Sequence, residues 1–181
     1  PPPGPGSKAP RDAADLPRAR AGGAADGSLS LSPYPNKPTQ DGIFRHYEAV
    51  ADAARTPVFV YNVPGRTSSN VAPETLFRLA REVEHVAGVK EASGDMQQVM
   101  TILRDRPAGF AVLSGEDHLT LPILALGGDG VISVVANEAP GPMAELVEAV
   151  AEGRLDRARN VHERLLPLMR ANFVETNPIP V

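Results

Sequence analysis

Lys90 stands in GVKEASGD, residues 88–95, at the end of an apolar run, with Gly88 two residues before it and Ala92 two residues after it. The chain contains three lysines, Lys8, Lys37 and Lys90, against fifteen arginines. Where charge alone would serve, this sequence uses arginine. A lysine closing an apolar strand therefore points to what arginine cannot do, which is to lose its proton and attack a carbonyl. Strand alternation puts Gly88, Lys90 and Ala92 on one face and Val89 and Glu91 on the other. Small neighbours leave room beside the amine for a substrate. Burial there disfavours the ammonium form and is expected to lower the pKa. The competing interpretation is a structural ion pair of Lys90 with Glu91 or Asp95.

An amine can act in this way only where a scaffold holds it, and the surrounding pattern supplies one. From residue 28 onward, strand-like and helix-like segments alternate. Strands are expected at 28–34 (SLSLSPY), 57–64 (PVFVYNVP), 85–93 (HVAGVKEAS), 110–116 (FAVLSGE) and 130–137 (GVISVVAN). Helices are expected at 41–55, 73–83, 95–105 with Asp95 as cap, and 117–128 closed by glycine. Two more are expected within 142–172, broken near Gly153. Strands apolar on both faces belong to parallel sheets covered by helices. An open doubly wound sheet and a (β/α)8 barrel both fit, and five units make only part of a barrel of about 250 residues. In either architecture chemistry collects at the strand C-terminal ends. Tyr34, Tyr61, Asn62, Lys90, Glu91, Ser114, Glu116 and Asp117 stand there.

Bulk composition narrows the class. Hydrophobic residues make up 42% and charged residues 22% of the 181, and the net charge is -4. No excess of basic residues is present to neutralise nucleic-acid phosphates. The absence of cysteine removes disulfides and thiolate metal sites, and makes a reducing cytoplasm the expected compartment. No apolar run is long enough to span a bilayer, and residues 1–10 lack the apolar core of a secretory signal. His46, His85, His118 and His162 show no ligand spacing, so no metal site is expected. GGDG at 127–130 lacks a following phosphate-loop lysine and reads as a turn. Glu116 and Asp117 read as caps at a helix start. Residues 1–27 read as a low-complexity or degraded segment, and 28–181 as the domain.

Several of these motifs, in order and spacing, carry a resemblance. PYPNKPTQDG (33–42), YNVPGRT (61–67), GVKEASGD (88–95), LSGEDHLTLPILALGGDGVISVVAN (113–137) and FVETNPIPV (173–181) resemble the dihydrodipicolinate synthase family. The resemblance implies a (β/α)8 TIM barrel of class I aldolase type, here incomplete, with about strands 4 to 8 present. It implies a lyase that condenses pyruvate with L-aspartate 4-semialdehyde through a Schiff base, on the route to diaminopimelate and lysine, without a cofactor. By motif, Lys90 resembles the imine-forming lysine and Tyr61 the tyrosine that relays protons. Arg66 resembles the arginine that binds the semialdehyde carboxylate. Gly115 and Ile132 resemble residues lining the pyruvate pocket. Tyr34 matches the first tyrosine of a PYYNKP motif whose second position is Pro35 here. A phenol near the amine suits proton shuttling through a carbinolamine, and arginine suits a bidentate carboxylate.

The same resemblance sets further expectations. The family's Gly-Thr-Thr-Gly-Glu segment does not occur in residues 1–27, and its second relay tyrosine is replaced by Pro35. The chain is accordingly expected to be a fragment that starts after the third barrel strand and stops before the C-terminal helices. The intact family is expected to be a homotetramer. Two other readings stand beside the first: a non-catalytic remnant of the enzyme, and a related pyruvate-dependent aldolase of the N-acetylneuraminate lyase or keto-deoxy sugar acid type.

Overall fold

The computed structural model describes residues 26–34, 37–54 and 56–181. The expectations placed on residues 1–25 and on Pro35 lie outside them. The described chain forms two compact units, one ending at Val112 and the other beginning at Leu113.

The first unit is built on parallel strands β1 (Ser28–Leu31), β2 (Val58–Asn62) and β3 (Val86–Glu91). The start of β4 (Ala111–Ser114) closes it. Helix α1 (Gln40–Ala54) connects β1 to β2. The short α2 (Pro64–Thr67) and α3 (Pro73–Glu82) connect β2 to β3, and α4 (Met96–Asp105) follows β3. In α1 the buried positions Ile43, Phe44, Tyr47, Val50, Ala51 and Ala54 fall at helical spacing on one face. They join Val58, Val60, Leu76, Leu79, Val89, Ile102 and Val112 in a single core. Each large side chain buried there contributes about 1.5–3 kcal/mol. Burial alternates along β2: Val58, Val60 and Asn62 are buried against the helices, and Phe59 and Tyr61 on the opposite face are half-buried.

One irregularity sets the register. Val58 pairs with Val86, but Phe59 pairs with Gly88, leaving Ala87 as an extra residue on β3. From there the pairing runs Val60 to Val89, Tyr61 to Lys90 and Asn62 to Glu91.

Two buried polar side chains of α1 bind the strands. The Tyr47 hydroxyl donates to the Ser30 carbonyl at 3.0 Å and lies 3.4 Å from the Ser32 hydroxyl. Burial pushes this phenol far above its ordinary range, partly offset by hydrogen bonds from Ser32 and the Tyr61 main chain. His46, 2% exposed, bonds the Leu31 carbonyl at 3.2 Å, which makes Nε2 the donor, while its buried Nδ1 has no partner.

The second unit pairs the end of β4 with a two-residue β5 (Gly130–Val131) and packs helices around a separate core. The strand expected over 130–137 is therefore much shorter. After Ile132, whose N–H donates to the Ser114 carbonyl at 2.9 Å, the chain turns into a 3-10 turn at Val135–Asn137. The helix expected over 117–128 is a 3-10 turn at Asp117–Leu119 followed by α5 (Thr120–Ala125). Asp117 does not cap that turn as expected. Its Oδ2 accepts from Val134 N and Val135 N, both at 3.0 Å, and so caps the turn after β5. Helices α6 (Pro140–Ala151) and α7 (Leu155–Ala171) form the expected pair broken at Gly153. Gly153 takes φ 73° and its N–H bonds the Val150 carbonyl, while Arg154 N–H bonds Ala149, a left-handed closure that favours glycine. Leu146, Ala149, Val161, Leu165 and Met169 are buried between them. No helix among the described residues is long and apolar enough to cross a membrane.

The His46 imidazole is held below its ordinary value, first by burial, against a smaller raising effect of the Leu31 carbonyl. Below the unfolded value of about 6.5 the unfolded chain takes up a proton that folded His46 resists. Urea-unfolding free energy is expected to fall as pH drops through this window, and His46→Gln to flatten the fall. Part of the slope should persist, because burial also lowers His162 in the second unit.

Candidate active site

Lys90 is the penultimate residue of β3 and only 8% exposed. Its register partner across the parallel pair is Tyr61, and the Lys90 Nζ lies 4.2 Å from the centroid of the Tyr61 ring. An amine and a phenol are thus brought to one face at the C-terminal ends of adjacent strands. The room expected beside the amine at Gly88, the next residue on that face, is not open space, because β4 and Phe59 fill it. A Cβ built there would fall 2.4 Å from the Ala111 carbonyl oxygen and 2.7 Å from Phe59 Cε1. Only glycine allows β3 to approach β4 and Phe59 so closely.

Arg66 lies in the last turn of α2, on an exposed position. Pro64 starts this short helix, and Thr67 Oγ1 donates to the Ser69 carbonyl at 2.9 Å. Ser68 ends it in a left-handed conformation, with its N–H on the Pro64 carbonyl at 2.8 Å. The following loop is held from two sides. Gln40 of α1 accepts from Ala72 N at 3.0 Å and donates to the Asn70 carbonyl at 2.8 Å, while Asn62 Oδ1 accepts from Val71 N at 3.0 Å.

The two carboxylates considered as ion-pair partners of Lys90 are engaged elsewhere. Asp95 caps α4 as expected, accepting from Gln97 N at 2.9 Å and Gln98 N at 3.2 Å. Glu91, 1% exposed, accepts from Asn62 Nδ2 at 3.2 and 3.0 Å, from Gln98 Nε2 at 3.2 Å and from Ser93 N at 2.7 Å. Asn70 joins the ring, accepting from Asn62 Nδ2 at 2.9 Å and donating to Gln98 Oε1 at 2.8 Å. Nothing in the sequence links Asn62, Asn70, Glu91 and Gln98, which lie on four separate segments. The only available signal was the polar residue directly after each of Tyr61 and Lys90.

In the second unit Gly115 and Ile132 come together, since Ile132 N–H bonds the residue preceding Gly115. Both are half-buried. Tyr34, 39% exposed, follows β1. Among the described residues no three His, Asp or Glu side chains converge to hold a metal ion.

The sequence of residues 3–181 matches the model of the dihydrodipicolinate synthetase family. The chain belongs to that family. It is 55% identical over 164 residues to the 4-hydroxy-tetrahydrodipicolinate synthase of Salinibacter ruber, covering 91% of this chain and 54% of that protein. It is 50% identical over 178 residues to the enzyme of that name from Chlorobium limicola, covering 98% of this chain and 60% of the relative. The crystal structure of dihydrodipicolinate synthase from Aquifex aeolicus superposes with a TM-score of 0.95 at 42% identity, over 98% of this chain and 60% of that one. The fold is thus the α/β, parallel-sheet fold of the dihydrodipicolinate synthetase family's solved structures. The chain spans about three-fifths of the length of the relatives it matches.

The Gly88 contact generates a test. Gly88→Ala is expected to destabilise the chain by about 1–3 kcal/mol, because a main-chain oxygen must move to admit the methyl group. The urea midpoint measures this, and an unchanged midpoint would contradict the close approach of β3 to β4.

Proposed function

We propose that this chain carries the imine-forming site of a lyase that condenses pyruvate with L-aspartate 4-semialdehyde, a step of diaminopimelate and lysine biosynthesis. The observation that supports it most directly is the Lys90 amine held over the Tyr61 ring on paired strand ends, in a chain of this family. We read its five parallel strands as strands 4 to 8 of a (β/α)8 barrel. In that frame they present their C-terminal ends, where Lys90 and Tyr61 stand, to the substrate.

The chemistry follows from the groups. The neutral amine of Lys90 adds to the C2 carbonyl of pyruvate and gives a carbinolamine. Its hydroxyl must gain a proton to leave as water, and the nitrogen must lose one. In this reading the Tyr61 phenol carries protons in both directions. The resulting iminium acidifies C3. Loss of a C3 proton gives an enamine, whose C3 bonds the aldehyde carbon of the second substrate. Arg66 supplies a planar guanidinium for that substrate's carboxylate. The family resemblance assigns Gly115 and Ile132 to the binding of pyruvate and Tyr34 to the relay neighbourhood. The electron sink is the covalent imine itself, so the scheme calls for no added cofactor.

Borohydride reduction in the presence of pyruvate tests this reading. A stable pyruvate adduct is expected on the peptide containing Lys90 and is expected to vanish in Lys90→Arg. Tyr61→Phe is expected to slow adduct formation by about 100-fold, in the range for one positioned proton carrier, with little change in the half-saturating pyruvate concentration. A chain that circular dichroism shows to be folded but that yields no adduct would overturn the reading for this polypeptide.

A further inference from the structure

The scheme above leaves the deeply buried carboxylate of Glu91 unused. Glu91 follows Lys90 in β3, so its side chain leaves the strand on the opposite face. It lies among the helices, 1% exposed, and its donors are two primary amides and one main-chain N–H, all neutral. Burying a carboxylate against neutral donors is costly, and apolar residues would fill a helix-facing strand position at less expense.

The hydrogen-bond chemistry explains why glutamate and not glutamine occupies the site. Oε1 accepts from Asn62 Nδ2 and Ser93 N. Oε2 accepts from Asn62 Nδ2 and Gln98 Nε2. Both oxygens are therefore surrounded by donors. A glutamine in either orientation would place its own NH2 against one of them, and only an acceptor-only group satisfies the ring.

The ring also lies at a particular place. Asn62 and Glu91 are register partners one residue beyond Tyr61 and Lys90. Asn62 carries the connection to the loop after α2 through Val71 N and Asn70, and Gln98 carries it to the first turn of α4. One carboxylate thus cross-links the ends of both strands that bear the amine and the phenol. It also reaches the loop that follows Arg66.

We propose that Glu91 is a positioning residue for the imine chemistry: its carboxylate, through Asn62 and Gln98, fixes the ends of β2 and β3 so that the Lys90 amine meets the Tyr61 phenol. This rests on the reading of Lys90 as the imine-forming lysine. Glu91 itself touches no substrate. Its effect passes through the backbone of the two residues beside it.

The test compares the unmodified chain with Glu91→Gln and with Gln98→Met, a milder change that removes one donor and keeps the side-chain length. Circular dichroism and urea unfolding establish which variants are folded, and Gln98→Met serves if Glu91→Gln is not. At saturating pyruvate, the rate of reducible adduct formation on Lys90 is expected to fall about 10- to 100-fold in Glu91→Gln, the scale of a reactive group displaced by about 1 Å. A smaller fall is expected in Gln98→Met. The half-saturating pyruvate concentration should change less than about threefold, because the pocket walls stay in place. Equal rates in the folded variants and the unmodified chain would overturn the proposal.

A second readout does not need pyruvate. Competitive acylation with trace acetic anhydride gives the reactivity of Lys90 relative to exposed Lys37 in the same chain. That ratio is expected to change at least about threefold in the folded Glu91 or Gln98 variant, as a displaced amine meets a different environment. If the unmodified chain forms no pyruvate adduct, the reading of Lys90 as imine former fails. The acylation ratio then still decides whether Glu91 positions the amine, and an unchanged ratio would overturn that claim too.

Discussion

The pairing of β2 with β3 depends on one extra residue, and the arrangement around Lys90 depends on that pairing. With Ala87 bulged, Tyr61 faces Lys90 and Asn62 faces Glu91. Without the bulge the register set by Val58 and Val86 would continue, with Phe59 opposite Ala87, Tyr61 opposite Val89 and Asn62 opposite Lys90. Because strand side chains alternate, such a slip mismatches polar and apolar partners on both faces at once. The amine would lose the phenol and the Glu91 carboxylate would lose its amide. Both faces of the sheet therefore act together to hold the same register. The apolar pairing of Val60 with Val89 is part of that constraint, since both belong to the helix-facing core.

Beyond the last apolar pair the strands meet the region where chemistry is possible, and there the polar groups are closed against one another. Each amide in the Asn62, Asn70 and Gln98 ring has a partner, and each oxygen of Glu91 has two donors. A closed ring of this kind is rigid, because moving one member leaves another buried group without a partner. The closed hydrogen-bonded ring and the Lys90 amine are thereby separated across the thickness of a single strand. Glu91 stands on one side and Lys90 on the other.

The helices contribute by burying the remaining face of each unit. In the first unit, α1 also reaches the strands through two polar contacts at the C-terminal side of β1, from Tyr47 to Ser30 and from His46 to Leu31. In the second, Asp117 caps the turn after β5 and so shapes the segment carrying Ile132, while α6 and α7 supply a core of their own. The same logic recurs in both units. An apolar face holds an element in place, and one buried polar group then specifies where its end must lie.

The order and type of the elements were legible in the sequence, because they rest on local physics. The apolar spacing in α1, the cap at Asp95 and the break at Gly153 each involve residues within a few positions of one another. Lys90, Tyr61 and Arg66 stood out in the sequence as candidates, through residue types at strand ends and through motifs. Where the prediction failed, the reason was non-local. Asp117 looked like the cap of its own helix, but its acceptors lie near two N–H groups seventeen and eighteen residues away. The strand at 130–137 looked continuous because its apolar run is, yet after Ile132 the chain turns. The sequence by itself determined that a scarce lysine would end a buried parallel strand one residue before a carboxylate. Only the tertiary structure decided, through a one-residue bulge, that the phenol stands opposite the amine and the amide opposite the carboxylate. Periodicity within a strand specifies which face a side chain takes, whereas register between strands is a property of two segments at once.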